Sequence, residues 1–184
     1  MSICVYLDTS VIIAGYKPGD PDHIFATKIL KSKFVRKIIS YITVVELSSV
    51  LSRLLETGEL VFPKKLMELL SKFDKISLII GIIKYLIKKY SLEIAGSNRL
   101  IEIPMNGIFS APIEIAESIR LTAHLRLKTL DAIHVSIVNI LKRTMGVEYF
   151  VTSDKNILQK RNEIRKQINV IVMNPKEFVN IFGL

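Results

Sequence analysis

The sequence predicts an α/β protein with a three-layer α/β/α sandwich around a central parallel sheet. Short apolar runs alternate with amphipathic helical segments along the chain, which is the pattern of such folds. The first of these runs, over residues 3–7, is rich in β-branched residues and is typical of a strand buried on both faces. The 184 residues are enough for a sizeable core, because a chain of this length buries roughly 70% of its unfolded surface.

The first half of the chain supplies two of the predicted strands. The strand over 3–7 is followed at 8–10 by three residues that can cap a helix. A second strand is predicted over 37–42, and the helix after it has capping-box spacing from Thr43 to Glu46. Apolar spacing and Gly or Pro at the ends predict the helices of this half over 22–33, 43–58, 63–73 and 76–90.

The second half of the chain continues the alternation. No internal repeat, low-complexity tract or long linker divides the sequence, so one domain is predicted over residues 1–184. The region 62–110 is the least typical and is interpreted as a helical insertion or lid. Strands are predicted over 99–103, 147–151 and 169–173, a turn over 104–107, and helices over 112–126, 129–143, after Asp154 and after Pro175.

Composition excludes several classes of protein. Apolar residues make up 49% of the chain and charged residues 23%, which excludes intrinsic disorder. The single cysteine, Cys4, excludes a disulfide framework within the chain and any multi-cysteine zinc module. The net charge of +9 favours a polyanionic partner, either nucleic acid or an anionic membrane surface.

The apolar segments do not resemble targeting or membrane-spanning segments. Asp8 interrupts the apolar start of the chain, and no basic segment precedes it as in a signal peptide. The longest apolar stretch, Ile76 to Ile87, contains Lys84 and is well short of the ~20 residues that span a bilayer. We therefore expect a soluble, cytoplasmic protein without a membrane partner.

Four carboxylates fall where α/β proteins gather functional groups. Asp8 and Asp154 follow predicted strands, and Glu46 and Asp131 are predicted in the first turns of helices. Helix capping or the helix dipole explains each of them singly. At one edge of one sheet, however, two carboxylates ~4 Å apart would repel by about 4 kcal/mol at an effective dielectric constant of ~20. Such a cluster is reasonable if a divalent cation neutralises it, and oxygen ligands suit Mg²⁺ or Mn²⁺.

The segments around these acids resemble a known family. The sequence is similar to the PIN-domain ribonucleases, and among them to the VapC-like toxins of prokaryotic toxin–antitoxin pairs. The matching segments occur in the family's order between residues 3 and 157. They are Leu7-Asp8-Thr9-Ser10, Glu46 within Thr-Val-Val-Glu-Leu, Leu130-Asp131-Ala132-Ile133-His134, and Val151-Thr152-Ser153-Asp154.

The resemblance implies a role for each matching residue. The four carboxylates become ligands of Mg²⁺ or Mn²⁺, directly or through water, and Ser10 and Thr152 match the hydroxyl positions that support the cluster. Two features depart from the family pattern. The spacing from Glu46 to Asp131 is longer than in the most compact members, and Asn156 stands near a position where some members carry another acid.

The resemblance also implies an activity and partners. We expect a metal-dependent endoribonuclease acting on single-stranded RNA, held inactive by a cognate antitoxin and able to form a homodimer. Two alternatives stay open: an RNA-processing nuclease without an antitoxin, and a non-catalytic PIN-like module that binds RNA or protein. Lys155, Lys160 and Arg161 follow Asp154 and are the best candidates for phosphate contacts. His134 and His124 are interpreted as packed or hydrogen-bonded side chains rather than catalytic ones.

Overall fold

The structure is a computed structural model that describes residues 3–97, 99–104 and 108–184. Within these ranges strands and helices alternate for most of the chain. In order, they are β1 (Ile3–Leu7), α1 (Thr9–Ala14), α2 (His23–Lys31), β2 (Val35–Ser40), α3 (Tyr41–Thr57), α4 (Lys64–Leu70), α5 (Lys75–Tyr90), β3 (Glu93–Ala95), β4 (Leu100–Pro104), β5 (Ile108–Pro112), α6 (Ile113–Leu125), α7 (Thr129–Met145), β6 (Tyr149–Val151), α8 (Lys155–Gln159), α9 (Arg161–Ile168), β7 (Ile171–Met173) and α10 (Pro175–Phe182).

Five strands form one parallel sheet in the order β3-β2-β1-β6-β7. The first strand lies in the middle, where Ile3 is opposite Val35 of β2 and Leu7 is opposite Val151 of β6. The two outer pairings, of β2 with β3 and of β6 with β7, are also parallel. The carboxyl ends of all five strands therefore meet at one edge of the sheet, as the predicted position of the acids requires.

The central sheet is covered on both faces. Successive side chains of a strand point to opposite faces, and in β1 Val5 and Leu7 join one hydrophobic cluster whereas Tyr6 joins the other. The first cluster contains apolar side chains of α1, α2, α3, α5 and α10, and the second contains those of α6, α7, α8 and α9. This arrangement confirms the predicted three-layer α/β/α sandwich with a central parallel sheet.

The second strand and the helix after it begin earlier than predicted. The strand is Val35–Ser40 rather than 37–42, and the helix begins at Tyr41. Ser40 is the N-cap, because its hydroxyl accepts a hydrogen bond from the backbone N–H of Thr43 at 3.2 Å, and the Thr43 hydroxyl accepts one from the Ser40 N–H at 3.3 Å. The predicted capping box from Thr43 to Glu46 is thus wrong, and Glu46 lies in the second turn of the helix.

The region 62–110 contains both helices and strands. Helices α4 and α5 confirm two of the predicted helices, whereas strand β3, which was not predicted, joins the edge of the central sheet. The strand predicted over 99–103 is found as β4, but it pairs with β5 in a separate antiparallel hairpin. Residues 105–107 of the predicted turn lie outside the described residues, and a single domain over 1–184 stays a prediction.

The sequence predicts no membrane-spanning segment. Among the helices of the described ranges, none is both long and apolar enough to cross a bilayer.

Candidate metal-binding cleft

Asp8 is fixed at the carboxyl end of the central strand. It is the N-cap of α1, and its Oδ1 accepts a hydrogen bond from the backbone N–H of Thr9 at 2.8 Å. Its Oδ2 accepts hydrogen bonds from the hydroxyl groups of Ser10 at 2.7 Å and Thr152 at 2.6 Å. Both hydroxyl residues that the sequence predicted as supports therefore contact Asp8. Three short bonds hold this carboxylate in one orientation. The Thr152 hydroxyl is itself held in place, because it also accepts the N–H of Asp154 at 2.9 Å.

Glu46 reaches the same place from helix α3. Its Oε2 accepts a hydrogen bond from the Thr9 hydroxyl at 2.6 Å and lies 2.8 Å from Nε2 of His134. Burial by itself would raise the pKa of Glu46, but the bond and charge of His134 and the bond from Thr9 hold this pKa below its ordinary value. Glu46 is consequently a carboxylate near neutral pH, and it contacts the cluster through Thr9 and His134.

Asp131 and Asp154 complete the group of acids. Asp131 lies in the first turn of α7, and its Oδ2 is buried with no hydrogen-bond partner among the described residues. Burial, and then the negative charges of Asp154 and Asp8, raise the pKa of Asp131 above its ordinary value. Asp154 is the N-cap of α8, and its Oδ1 accepts the N–H of Asn156 at 2.7 Å. The charge of Asp131 is thus the least compensated in the cluster.

His134 connects the acids to the interior of the sheet. It is 2% exposed, and its Nδ1 lies 2.7 Å from the hydroxyl of Tyr6, which also bonds to the hydroxyls of Ser40 and Thr43. An ionised carboxylate can only accept hydrogen bonds, so the His134 Nε2 facing Glu46 carries a proton. Although burial opposes the charged ring, the bond to Glu46 and the surrounding carboxylates raise the pKa of His134. His134 is therefore hydrogen-bonded, as the sequence predicted, and it contacts the acidic cluster, which the sequence did not predict.

One cavity of about 520 Å³ brings these groups together. All four predicted carboxylates line it, along with Ser10 and His134. The cavity also has an apolar wall that includes Ile42, Val45 and Leu130, and Arg53 is the one arginine or lysine among its described lining residues. Sequence analysis missed Arg53, although its position two turns of α3 after Glu46 is a usable signal. The sheet edge and helices α1, α3, α7 and α8 thus form a cleft that is lined by four acids and one arginine.

Comparison with known proteins identifies the family. The profile of the family described as PIN domain matches residues 5–163. The chain belongs to the PIN domain family. Membership of this nuclease family supports a hydrolase that acts on nucleic acids.

Two solved structures have a similar fold. One is VapBC-1 from nontypeable Haemophilus influenzae, with 12% sequence identity and a TM-score of 0.53 over 95% of this chain and 99% of that one. The other is Mycobacterium tuberculosis VapC20, a sarcin-ricin loop cleaving toxin, with 16% identity and a TM-score of 0.50 over 84% of this chain and 93% of that one. No curated protein sequence matches the chain. The structural similarities confirm the PIN fold.

The donor atoms in this PIN-domain cleft suit a divalent cation. Asp8, Glu46 and His134 each offer one ligand atom within 4.8 Å of the other two. The unpartnered Oδ2 of Asp131 adds a buried acceptor that a cation would satisfy. Because His134 Nε2 is engaged with Glu46, the free donors of the cleft are carboxylate oxygens, the ligand type that Mg²⁺ and Mn²⁺ prefer.

The basic residues predicted to contact RNA lie beside this PIN-domain cleft rather than in it. Lys155 and Arg161 line a neighbouring cavity of about 490 Å³. Arg161 bonds to Glu177 at 3.0 Å, and Lys160 lies 3.7 Å from Glu163, so acids offset part of their charge. Their role in RNA binding stays a prediction.

Proposed function

We propose that the protein is a Mg²⁺- or Mn²⁺-dependent endoribonuclease that hydrolyses phosphodiester bonds in single-stranded RNA. The observation that carries the proposal is the meeting of Asp8, Glu46, Asp131 and Asp154 in one cleft, with an unpartnered buried oxygen on Asp131. The negative charges of Asp154 and Asp8 act on the poorly compensated Asp131, and such repulsion opposes folding. Their retention is explained if they bind a cation that the reaction needs.

Each polar group of the cleft has a distinct part in this proposal. Asp8, Glu46, Asp131 and Asp154 would hold the ion directly or through water. When bound, the ion lowers the pKa of a water molecule and stabilises negative charge on the phosphate. The hydroxyls of Ser10 and Thr152 keep the Asp8 carboxylate in place through their hydrogen bonds, which leaves little freedom to lose on binding.

His134 and Arg53 act around the carboxylates. The N–H of His134 orients Glu46, so His134 is a positioning residue. Arg53 brings positive charge to a cleft that is otherwise anionic, and its guanidinium can pair with a substrate phosphate. RNA as the substrate is supported by the net charge of +9, and the PIN family supports nucleic acid.

We also propose that this nuclease is the toxin of a toxin–antitoxin pair. The fold is shared with VapBC-1 and with the VapC20 toxin. Val45 and Leu130 lie on the wall of the cleft and are largely exposed, at 64% and 49%. An antitoxin segment with apolar side chains would bury this wall and cover the acids. A homodimer stays a prediction of the resemblance.

Cleavage of a mixed panel of single-stranded RNAs tests the activity. We expect cleavage with Mg²⁺ or Mn²⁺, none with EDTA, and none with the Asp8→Asn or Asp131→Asn variant. Asp74→Asn is the matched control, because Asp74 is an exposed N-cap of α5 outside the cleft. Full activity of both cleft variants would refute the assignment, and calorimetric binding of Mg²⁺ without any cleavage would favour the non-catalytic module.

The antitoxin needs a separate experiment. If the protein is a toxin, the product of a neighbouring small open reading frame should form a stable complex with it and suppress RNA cleavage. Cleavage that this product does not affect would favour the RNA-processing nuclease.

A further inference from the structure

Two basic runs that are far apart in the sequence meet at the edge of the sheet opposite the acidic cleft. The end of α2 and the start of β2 carry Lys31, Lys33 and Lys37, and the end of α5 carries Lys89. All four lysines line one cavity of about 470 Å³. This edge holds the amino ends of the parallel strands, roughly 17 Å from the carboxyl ends across a six-residue strand such as β2. The four lysines, called here the basic edge, are thus separate from the acids.

Lys37 of the basic edge is buried, unlike an ordinary surface lysine. It lies within β2 and is only 5% exposed, yet its Nζ donates to the backbone oxygen of Ser32 at 2.6 Å and forms no ion pair among the described residues. Burial lowers the pKa of Lys37. An ammonium has three hydrogen atoms to donate, and a buried charge without an anion is costly. An anion in the cavity would supply the missing acceptor and the missing charge.

The other lysines of the basic edge add positive charge that no nearby acid of the described residues neutralises. Lys31 and Lys33 are exposed, and no acid is among the described residues that line the cavity. Arg36, which also lines it, is already neutralised by two hydrogen bonds to Glu93 at 2.8 and 2.9 Å. Lys31 and Lys33 are therefore available to a ligand with more than one negative charge, whereas the Lys89 Nζ also donates a hydrogen bond to the Tyr16 hydroxyl at 3.2 Å.

Aromatic rings lie among these cations. The ring of Phe34 is 77% exposed, and it lines an adjoining cavity of about 620 Å³ with Lys28, Lys31 and Lys33. Lys89 is held with its Nζ 5.1 Å from the ring centroid of Tyr90. An exposed aromatic ring flanked by lysines is the combination that binds unpaired bases and their backbone phosphates. A protein partner would need acids, whereas a nucleic-acid strand matches both the charge and the ring.

We propose that the basic edge is a second nucleic-acid site, which binds backbone phosphates of single-stranded RNA on Lys31, Lys33, Lys37 and Lys89 and a base on Phe34. The site goes beyond the proposed nuclease activity, because it lies at the other edge of the sheet and needs no metal. It would hold a long RNA to the protein while another part of that RNA enters the cleft.

Binding measured without metal tests the site independently of cleavage. The probe is a fluorescein-labelled 12-nucleotide oligouridine in EDTA, followed by anisotropy at several salt concentrations. The test variant is Lys31→Gln/Lys33→Gln, and the control with the same change in net charge is Lys64→Gln/Lys65→Gln on the exposed start of α4. Affinity for a single strand varies as about the −0.7 power of salt concentration per phosphate contact. Two lost contacts should thus weaken binding about 25-fold at 0.1 M salt and lower the slope by about 1.4.

The results of this experiment distinguish RNA binding at the basic edge from an effect of net charge and from binding of a free anion. The proposal is supported if the test variant shows this loss, the control stays within about twofold of the wild type, and Phe34→Ala weakens binding by at least about fivefold. Equal losses in the two double variants would overturn it, because net charge alone would then account for binding. The proposal would also be overturned if the wild type bound inorganic phosphate tightly and the test variant lost this binding but kept its affinity for oligouridine. The basic edge would then be a site for a free anion.

Discussion

Replacing Tyr6 with phenylalanine removes one hydroxyl from the centre of the chain of bonds that supports Glu46. The hydroxyl lies in a residue that is 0% exposed and bonds to Ser40 at 2.8 Å, Thr43 at 3.1 Å and His134 at 2.7 Å. In the variant the hydroxyls of Ser40 and Thr43 still hydrogen-bond to each other at 3.2 Å. The atom that loses its partner is therefore mainly Nδ1 of His134. An unsatisfied buried polar atom costs about 1–3 kcal/mol. We expect a loss of about 2 kcal/mol, which lowers Tm by about 4–8 °C in a chain of this length.

The same substitution should weaken metal binding, because a freer His134 ring holds Glu46 less well. Loss of such an outer partner typically costs 10- to 100-fold in metal affinity. Thermal unfolding in EDTA and calorimetry with Mg²⁺ measure the two effects. Tyr149→Phe is the control. The partly buried Tyr149 ring packs on Phe182 at 5.0 Å between centroids, and phenylalanine keeps this packing, so a change within about 0.5 kcal/mol is expected. A Tyr6→Phe variant with unchanged Tm and unchanged Mg²⁺ affinity would refute the role of this hydrogen-bond network in supporting Glu46.

Three further substitutions test charge, capping and burial. Asp131→Asn should raise Tm in EDTA by about 2–4 °C, because it removes a poorly compensated charge, and should reduce the Tm increase that Mg²⁺ produces. Asp74→Ala should lower Tm by about 2–4 °C, since Asp74 accepts the N–H groups of Ile76 and Ser77 at the start of α5. Lys37→Met should melt at the same temperature as the wild type or higher at pH 7. Because burial lowers the folded-state pKa of Lys37, its penalty is present at neutral pH and disappears as the pH rises towards the unfolded value of about 10.4, so the difference in Tm should narrow towards pH 10.

Sequence patterns predicted the positions of the acids because those positions depend on coarse features. The positions of Asp8 and Asp154 could be predicted from two apolar runs alone. The carboxyl ends of parallel strands lie at the same edge of a sheet, whatever the precise bounds of each strand. Glu46 lines the cleft even though its helix begins two residues earlier than predicted. The start of a helix does not change which residues share its face, since the face depends on spacing along the helix.

Features that depend on tertiary contacts were not predicted. Strand β2 begins at Val35, but the next two residues, Arg36 and Lys37, break the apolar pattern that marks a strand, so its start was predicted two residues too late. Strand β3 has three residues, too few for any periodicity to show. His134 was correctly expected to be hydrogen-bonded, but its bond to Glu46 joins residues 88 positions apart. No local pattern carries that information, because it arises only when α3 and α7, which cover opposite faces of the sheet, bring Glu46 and His134 together at its carboxyl edge.

The placement of the first strand at the centre of the sheet has a consequence for synthesis of the chain. Strand β1 can pair with β2 once about forty residues exist, but its other neighbour, β6, brings Val151 beside Leu7 across 144 positions. At roughly 5–20 residues per second, synthesis from Leu7 to Val151 takes about 7–30 s. Asp154 arrives only then, and the nascent chain on the ribosome has three of its four acids without the sheet edge that unites them. The four acids can therefore share one cleft only after residue 154 has been synthesised.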